Sequence, residues 1–100
     1  MLVLAGTVKV KPEKRSEAVR AALKMAKASQ AEPGCRAYAF YADLEDPNTV
    51  LIFECWESDA ALQAHFQSPH MAEFNAAIAG FLAAPPSFDR YEVSAVNKMM

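Results

Sequence analysis

The stretch from residue 51 to residue 74 constrains the fold more than any other part of the chain. Its first half, Leu51 to Trp56, is an apolar and aromatic run that is typical of a buried strand. Ser58-Asp59 then supplies N-cap residues for a helix, and Ser68-Pro69 breaks that helix and begins another. No other part of the sequence holds so many groups that can bind or titrate, among them Glu54, Trp56, His65 and His70. Any chemistry that this chain performs is therefore expected here.

The remaining residues alternate strands and helices around this stretch. The pattern predicts strands at residues 2–10, 35–43, 50–57 and 87–95, and helices from Pro12 to the Pro33-Gly34 stop, at about 59–67 and at 69–82. The Asp46-Pro47-Asn48 turn makes the second and third strands an antiparallel hairpin. The order β-α-β-β-α-β, with its second helix broken, predicts an α+β ferredoxin-like fold with an antiparallel sheet and helices on one face.

A chain of 100 residues is expected to form one domain, residues 1–100. Hydrophobic residues make up 53% of it, and the third strand is apolar on both faces. The sheet face that carries no helices would be exposed in a monomer, and exposed apolar patches of that size attract a partner. A two-fold homodimer with the two sheets face to face, a dimeric α+β barrel, is the simplest solution.

Composition excludes several classes of partner. The net charge is −2 and no basic patch is present, so a nucleic-acid partner is not expected. No apolar run approaches the roughly 20 residues that span a bilayer, so no membrane partner is expected. The N-terminus lacks the features of a signal peptide and two cysteines do not form a disulfide framework, which favours the cytoplasm. Gly-rich nucleotide motifs and a Cys-x-x-Cys pair are missing, so no cofactor is predicted.

His65 is the candidate catalytic base. It falls on the short predicted helix beside Leu62 and Phe66. An imidazole, whose ordinary pKa is about 6.5, can take a proton from a phenolic hydroxyl near neutral pH. The alternative is a structural role, in which the ring ties the broken helix to a backbone carbonyl. The residues alone leave both interpretations open.

Glu54 and Trp56 have the same parity in the third strand, so they project from the same face of the sheet. A carboxylate and an indole there could flank a flat ring, with Glu54 assisting the base. Alternatively, Trp56 is part of the core, and Glu54 accepts a backbone hydrogen bond or pairs with Arg36 or Arg90. Buried carboxylates are usually paired in this way.

Other residues are candidates for the wall of an apolar pocket or for the core. Aromatic and aliphatic side chains of this kind lie on the second strand and on the last helix: Tyr38, Phe40, Phe74 and Ile78. His70, in the first turn of the last helix, is either a second polar group of the pocket or a surface residue. The two histidines are not spaced i, i+4 and no third ligand is evident, so no metal site is predicted.

The chain resembles the antibiotic biosynthesis monooxygenase (ABM) family, and in particular its quinol-monooxygenase-like branch. The resemblance rests on a Gly34-Cys35…Tyr38 strand, the Asp46-Pro47 turn and the run Glu54-Cys-Trp56-Glu-Ser58-x-x-Ala61-Leu62-x-Ala64-His65-x-x-Ser68-Pro69-His70. It covers essentially the whole chain. It implies a dimeric α+β barrel with a pocket between sheet and helices. It also implies oxygenation of phenolic or quinol substrates without metal, flavin or haem.

The resemblance makes a cofactor-independent monooxygenase the leading hypothesis, with a small aromatic or quinol-like substrate and dioxygen as partners. His65, helped by Glu54, would take a phenolic proton, and the anion would pass an electron to dioxygen. Haem-degrading relatives need an Asn in the first strand. The first strand of this chain has Thr7 and no Asn, so haem chemistry is not expected.

Two other hypotheses remain open at this point. An isomerase or other non-oxidative enzyme that acts on a small polar metabolite, phosphorylated or not, predicts a positively charged pocket with Arg36 or Arg90 pointing inward. A non-catalytic dimeric ligand-binding or stress protein predicts an interior filled by Phe40, Trp56 and Phe74.

Overall fold

The computed structural model describes residues 1–100 as four strands and three α-helices. The elements in chain order are β1 (Leu2–Lys9), a 3-10 turn (Pro12–Lys14), α1 (Arg15–Gln30), β2 (Cys35–Ala42), β3 (Thr49–Trp56), α2 (Asp59–Phe66), α3 (Pro69–Ile78) and β4 (Ser87–Glu92). The sheet order is β2-β3-β1-β4 and every neighbouring pair is antiparallel. This arrangement confirms the predicted α+β ferredoxin-like fold.

Two helices differ from their predicted bounds. The first begins as a 3-10 turn at Pro12 and becomes α-helical only at Arg15. The last α-helix ends at Ile78 instead of residue 82. Beyond it, the Phe81 carbonyl accepts from the Lys11 amide at 2.8 Å and Leu82 bridges to Val10, so the chain leaves the helix to pair with the end of β1.

The strand register sets which side chains face the helices. Leu2 lies opposite Trp56, and Glu54 lies between Leu4 of β1 and Tyr38 of β2. Because paired residues of an antiparallel sheet share a face, these side chains meet on the side covered by the helices. The core on that side consists of Leu2, Met25, Ala26, Tyr38, Trp56 and Leu62.

The buried face of α1 is rotated from the apolar stripe that helical spacing predicts, Ala18, Val19, Ala22, Leu23 and Ala26. That stripe includes Leu23, which is 65% exposed, and omits Met25, which is 2% exposed. Ser29, one turn further along, is fully buried. The flexible thioether of Met25 suits it to an irregular gap under the helix.

Gly34 allows α1 to return to the sheet. Its φ of +82° is a left-handed conformation that side chains other than glycine rarely adopt. A Cβ atom at this position would also lie 2.6 Å from the Cβ of Ala61 in α2. The loop therefore packs directly against α2, which brings Glu32 next to that helix.

The opposite face of the sheet carries no helix. Its side chains include several large apolar groups, of which Tyr41, Leu51 and Tyr91 are 55%, 39% and 50% exposed. Phe53 lies among them on the central strand β3. None of the helices is both long enough and apolar enough to cross a membrane.

Candidate active site

Two serine caps fix the helices that carry the histidines. The Ser58 hydroxyl accepts from the Ala61 amide at 3.1 Å and begins α2, as its sequence predicts. The Ser68 hydroxyl accepts from the Met71 amide at 3.2 Å and donates to the His65 carbonyl at 2.7 Å. One side chain therefore closes α2 and opens α3. As a result, His65 at the end of α2 and His70 at the start of α3 are held close together.

A carboxylate from the α1–β2 loop joins the two histidines. Glu32 Oε2 lies 2.6 Å from His65 Nδ1 and 2.8 Å from His70 Nε2. The His65 and His70 ring centroids are 5.9 Å apart. His65 is fully buried, whereas the side chains of His70 and Glu32 are 22% and 14% exposed. Glu32, His65 and His70 are called the His–Glu cluster below.

Glu54 lies on the inner side of the His–Glu cluster. Its Oε1 accepts a 3.0 Å hydrogen bond from Trp56 Nε1 and lies 3.9 Å from His65 Nε2. Burial raises the pKa of the Glu54 carboxyl, although the Trp56 hydrogen bond and His65 oppose this effect. The indole is fully buried and its ring centroid is 4.6 Å from that of His65. Glu54 therefore pairs with Trp56, and neither Arg36 nor Arg90 reaches it.

Tyr38 completes the wall around His65. Its ring centroid is 5.4 Å from that of His65 and 6.4 Å from that of Trp56. Burial, followed by the negative charge of Glu54, raises the pKa of the Tyr38 phenol. The phenol therefore stays protonated at neutral pH.

A cavity of about 350 Å³ opens between α1, α3 and the β2 edge of the sheet. Of its 16 lining residues, 14 are hydrophobic, which suits an apolar or aromatic ligand. Phe40, Phe74 and Ile78 line it, as the sequence predicts for a pocket wall. The lining from α1 consists of Arg15, Ala18, Val19, Ala22, Leu23, Ala26 and Gln30.

A row of rings connects this cavity to the His–Glu cluster. The centroid of Phe74 is 5.8 Å from that of Phe40, which is 5.7 Å from that of Tyr38, which in turn contacts His65. Tyr38, Trp56 and His65 do not line the cavity itself. A second cavity of about 60 Å³, between α1 and α3, is lined by both His70 and Phe74.

The structure thus divides the predicted site residues into two groups. Phe40, Phe74 and Ile78 line the large cavity. The other five lie elsewhere: His65 and His70 belong to the His–Glu cluster, and Tyr38, Glu54 and Trp56 lie beside His65. Glu32 is a residue of the site that was not predicted from the sequence. Its only signal is an acidic residue just before the Pro33-Gly34 turn, and sequence spacing does not show that this turn packs on α2.

Glu32 is also a third potential metal ligand, which the spacing of the two histidines did not reveal. One donor atom from each residue of the His–Glu cluster lies within 4.8 Å of the others. Two imidazoles and a carboxylate are donors of the kind that zinc accepts. In this structure, however, the same atoms are engaged in hydrogen bonds with one another.

Both arginines considered for an inward position lie at the surface. Arg36 pairs with Glu57 at 3.7 Å, and Arg90 pairs with Asp59 at 3.0 Å. The one arginine that lines the large cavity is Arg15, whose Nε donates to the Pro47 carbonyl at 2.9 Å. These contacts do not provide the positively charged pocket that the isomerase hypothesis requires. The open cavity likewise does not match the filled interior of the non-catalytic hypothesis.

Replacing the buried carboxyl of Glu54 with an amide, Glu54→Gln, is expected to make the folded chain more stable than the native one. The difference in the free energy of unfolding should grow as pH rises. The ordinary pKa of this group is 4.5, and its folded-state pKa is higher. The stability that it provides is fully present below pH 4.5 and is lost as pH rises through the folded-state pKa. The variant cannot ionise and escapes this loss.

Thermal unfolding from pH 4.5 to 8 tests this expectation. The Tm difference between variant and native chain should increase with pH, by about 4–8 °C for each kcal/mol in a domain of this size. Glu57→Gln, at an exposed carboxylate three residues along the chain, is the matched control. A difference that is constant with pH would contradict the assignment.

These observations define a class of protein: a small α+β domain with an apolar cavity and a buried carboxylate–imidazole cluster between its sheet and helices. The profile of the antibiotic biosynthesis monooxygenase family matches residues 1–77. The chain belongs to this family.

Individual relatives agree with this assignment. Protein sll1783 of Synechocystis, described as uncharacterized, is 39% identical over 93 residues, which are 93% of this chain and 63% of that protein. The "putative monooxygenase YcnE" of Bacillus subtilis is 35% identical over 94 residues, which are 94% of this chain and 99% of that protein. The "probable quinol monooxygenase YgiN" of Escherichia coli K12 is 37% identical over 57 residues, and the match covers 49% of this chain and 55% of that protein. The chain thus spans less than two thirds of sll1783 and of YgiN.

A solved structure shows the same fold. A protein from Deinococcus radiodurans, titled as a "putative antibiotic biosynthesis monooxygenase", superimposes with a TM-score of 0.92 and 24% identity. The match covers 100% of this chain and 99% of that one.

Proposed function

We propose that this chain is a cofactor-independent monooxygenase that oxidises a quinol or polyphenol with dioxygen. The observation that carries the proposal is the apolar cavity of about 350 Å³, connected by aromatic rings to a buried acid–base cluster. This volume falls within the range of about 300–1,000 Å³ that is usual for small-molecule sites. The quinol class is suggested by the relative named quinol monooxygenase.

The chemistry balances without an added reductant. His65 takes a phenolic proton, and the resulting anion passes one electron to dioxygen. Superoxide and the substrate radical then combine at a ring carbon. Loss of water from this peroxide leaves a hydroxylated quinone, and His65 returns its proton to the departing oxygen. One quinol and one dioxygen therefore give one hydroxyquinone and one water.

Substrate access to the base requires a side-chain movement in this proposal. His65 has no exposed surface, and the rings of Phe40 and Phe74 form the cavity wall on the side of Tyr38. Both phenylalanines are only half-buried. We propose that a bound ring displaces Phe40 and so reaches Glu54 and His65 from the cavity.

Oxygen uptake by the purified protein with a panel of reduced quinols is the direct test. We expect uptake above that of heat-denatured protein, because quinols also autoxidise, and a product that gains one labelled oxygen atom from ¹⁸O₂. No uptake above the control with any quinol would contradict the proposal.

A bulky residue inside the cavity should weaken substrate binding without contacting the His–Glu cluster. Ala22 lines the cavity from α1, so Ala22→Phe is expected to raise KM for the quinol at least about tenfold, the equivalent of about 1.4 kcal/mol of binding. Ala76→Phe, at an exposed position on α3, is the matched control. Equal KM values in the two variants would place the substrate elsewhere.

We also propose that two copies pair through the sheet face that carries no helix. The cytoplasm is the proposed location, because the free thiols of Cys35 and Cys55 would stay reduced there. Sedimentation at micromolar concentration should give a dimer. Phe53→Glu, which places a charge in the middle of that face, should weaken the dimer at least about tenfold. Leu44→Glu, in an exposed turn, should not. A monomeric native chain would contradict this pairing.

A further inference from the structure

The His–Glu cluster contains a feature that the proposed chemistry does not explain. His65 is fully buried, yet only one of its ring nitrogens has a hydrogen-bond partner. Nδ1 lies 2.6 Å from Glu32 Oε2, while Nε2 has no partner and points toward Glu54 at 3.9 Å. Unpaired buried polar atoms cost free energy, so their occurrence at a candidate base calls for a functional reason.

The hydrogen bonds around Glu32 fix where the protons lie. A carboxylate oxygen accepts hydrogen bonds, so the 2.6 Å contact places a proton on His65 Nδ1. His70 donates from Nε2 to the same oxygen at 2.8 Å, which holds the Glu32 carboxylate in place. The neutral imidazole of His65 then carries its lone pair on Nε2, directed away from the α1–β2 loop and toward the sheet.

We infer that Glu32 is a positioning residue that selects the Nδ1–H tautomer of His65 and so leaves Nε2 free to accept the substrate's proton. The inference rests on the proposed function, in which His65 is the base. When Nε2 takes the phenolic proton, the imidazolium lies between Glu32 on one side and Glu54 on the other. Glu32 thereby stabilises the charge that forms, without touching the substrate.

The geometry explains why this carboxylate acts from a loop. The loop is tied to the sheet by the 2.8 Å hydrogen bond from the Glu57 amide to the Gly34 carbonyl, and Gly34 packs on Ala61 of α2. His65 is part of α2, and the loop that carries Glu32 packs on the same helix, so the distance between the two side chains is fixed.

Nitrogen-15 NMR of the histidine rings tests the inference without any substrate. The native chain should show neutral His65 with its proton on Nδ1. In Glu32→Gln, whose amide can donate to Nδ1, a substantial fraction should shift to the Nε2–H tautomer. Glu57→Gln, at an exposed carboxylate, should leave the tautomer unchanged. An Nε2–H tautomer in the native chain, or no change in Glu32→Gln, would overturn the inference.

Kinetics test its consequence for the reaction. Glu32→Gln should lower kcat about tenfold or more while KM stays within about twofold, because the substrate does not contact this carboxylate. The groups facing His65 from the other elements, Tyr38, Glu54 and His70, remain in place. Glu32→Asp should restore part of the loss.

The two readouts separate the inference from the proposed function. If no quinol supports oxygen uptake, the proposed function fails, and the NMR result still decides whether Glu32 sets the tautomer. If uptake is present and Glu32→Gln retains both the native kcat and the native tautomer, the positioning role is overturned while the monooxygenase proposal stands.

Discussion

His65→Gln should lower the kcat of quinol-dependent oxygen uptake by about 10²–10⁴-fold, the usual contribution of a positioned general base. Glutamine keeps a polar group beside Glu32 but cannot take a proton near neutral pH. The apolar cavity is formed by other residues, so KM should change little. Steady-state oxygen-electrode kinetics at a fixed protein concentration measure both constants.

Two comparisons make the His65 result specific. Gln63→Ala, at an exposed position on the same helix, should retain native kcat. Thermal unfolding of His65→Gln separates loss of the base from loss of the fold, because an unfolded variant would lose binding as well. A folded His65→Gln with native kcat would remove the assignment of His65 as the base, whatever the substrate.

Trp56→Ala should cost about 3–5 kcal/mol of unfolding free energy, the range for emptying a large aromatic site in a core. The indole is fully buried, contacts Tyr38 and His65, and satisfies Glu54. The total free energy of unfolding of a domain is only about 5–15 kcal/mol, so the variant should be close to unfolding at 37 °C. The expected decrease in Tm is at least about 12 °C, at 4–8 °C per kcal/mol.

Chemical and thermal denaturation at one protein concentration measure this cost. Trp56→Phe keeps an aromatic ring but removes the N–H donor to Glu54, so it should lose less, about 1–3 kcal/mol. Leu44→Ala, whose side chain is completely exposed in a turn, should stay within about 0.5 kcal/mol of the native chain. A loss below about 1 kcal/mol in Trp56→Ala would show that this part of the core can collapse around the gap.

The pattern of the chain was sufficient for the fold because its signals are local. Ser58 and Ser68 cap the helices that their positions predict, and the Asp46-Pro47-Asn48 turn pairs the second and third strands. Residue parity placed Glu54 and Trp56 on one face correctly, since strand periodicity requires no knowledge of the partner strand. The end of the last helix was predicted four residues too late, because a distant pairing with the end of β1 competes with helical hydrogen bonds there.

The candidate site required the tertiary structure, since its groups meet through packing between elements. Sequence reasoning found both histidines but not Glu32, which lies 33 residues before His65 and reaches it only because Gly34 lets the loop pack on α2. It left Tyr38 and Phe40 as candidates for a pocket wall or for the core, and the fold separates them by burying Tyr38 beside His65 and placing Phe40 in the cavity wall. The sequence by itself therefore determined the elements, their order and the face of the sheet from which Glu54 and Trp56 project. The three-dimensional packing decided which nitrogen of His65 is paired and which is left free, because that depends on a contact between a loop and a helix that no local pattern encodes.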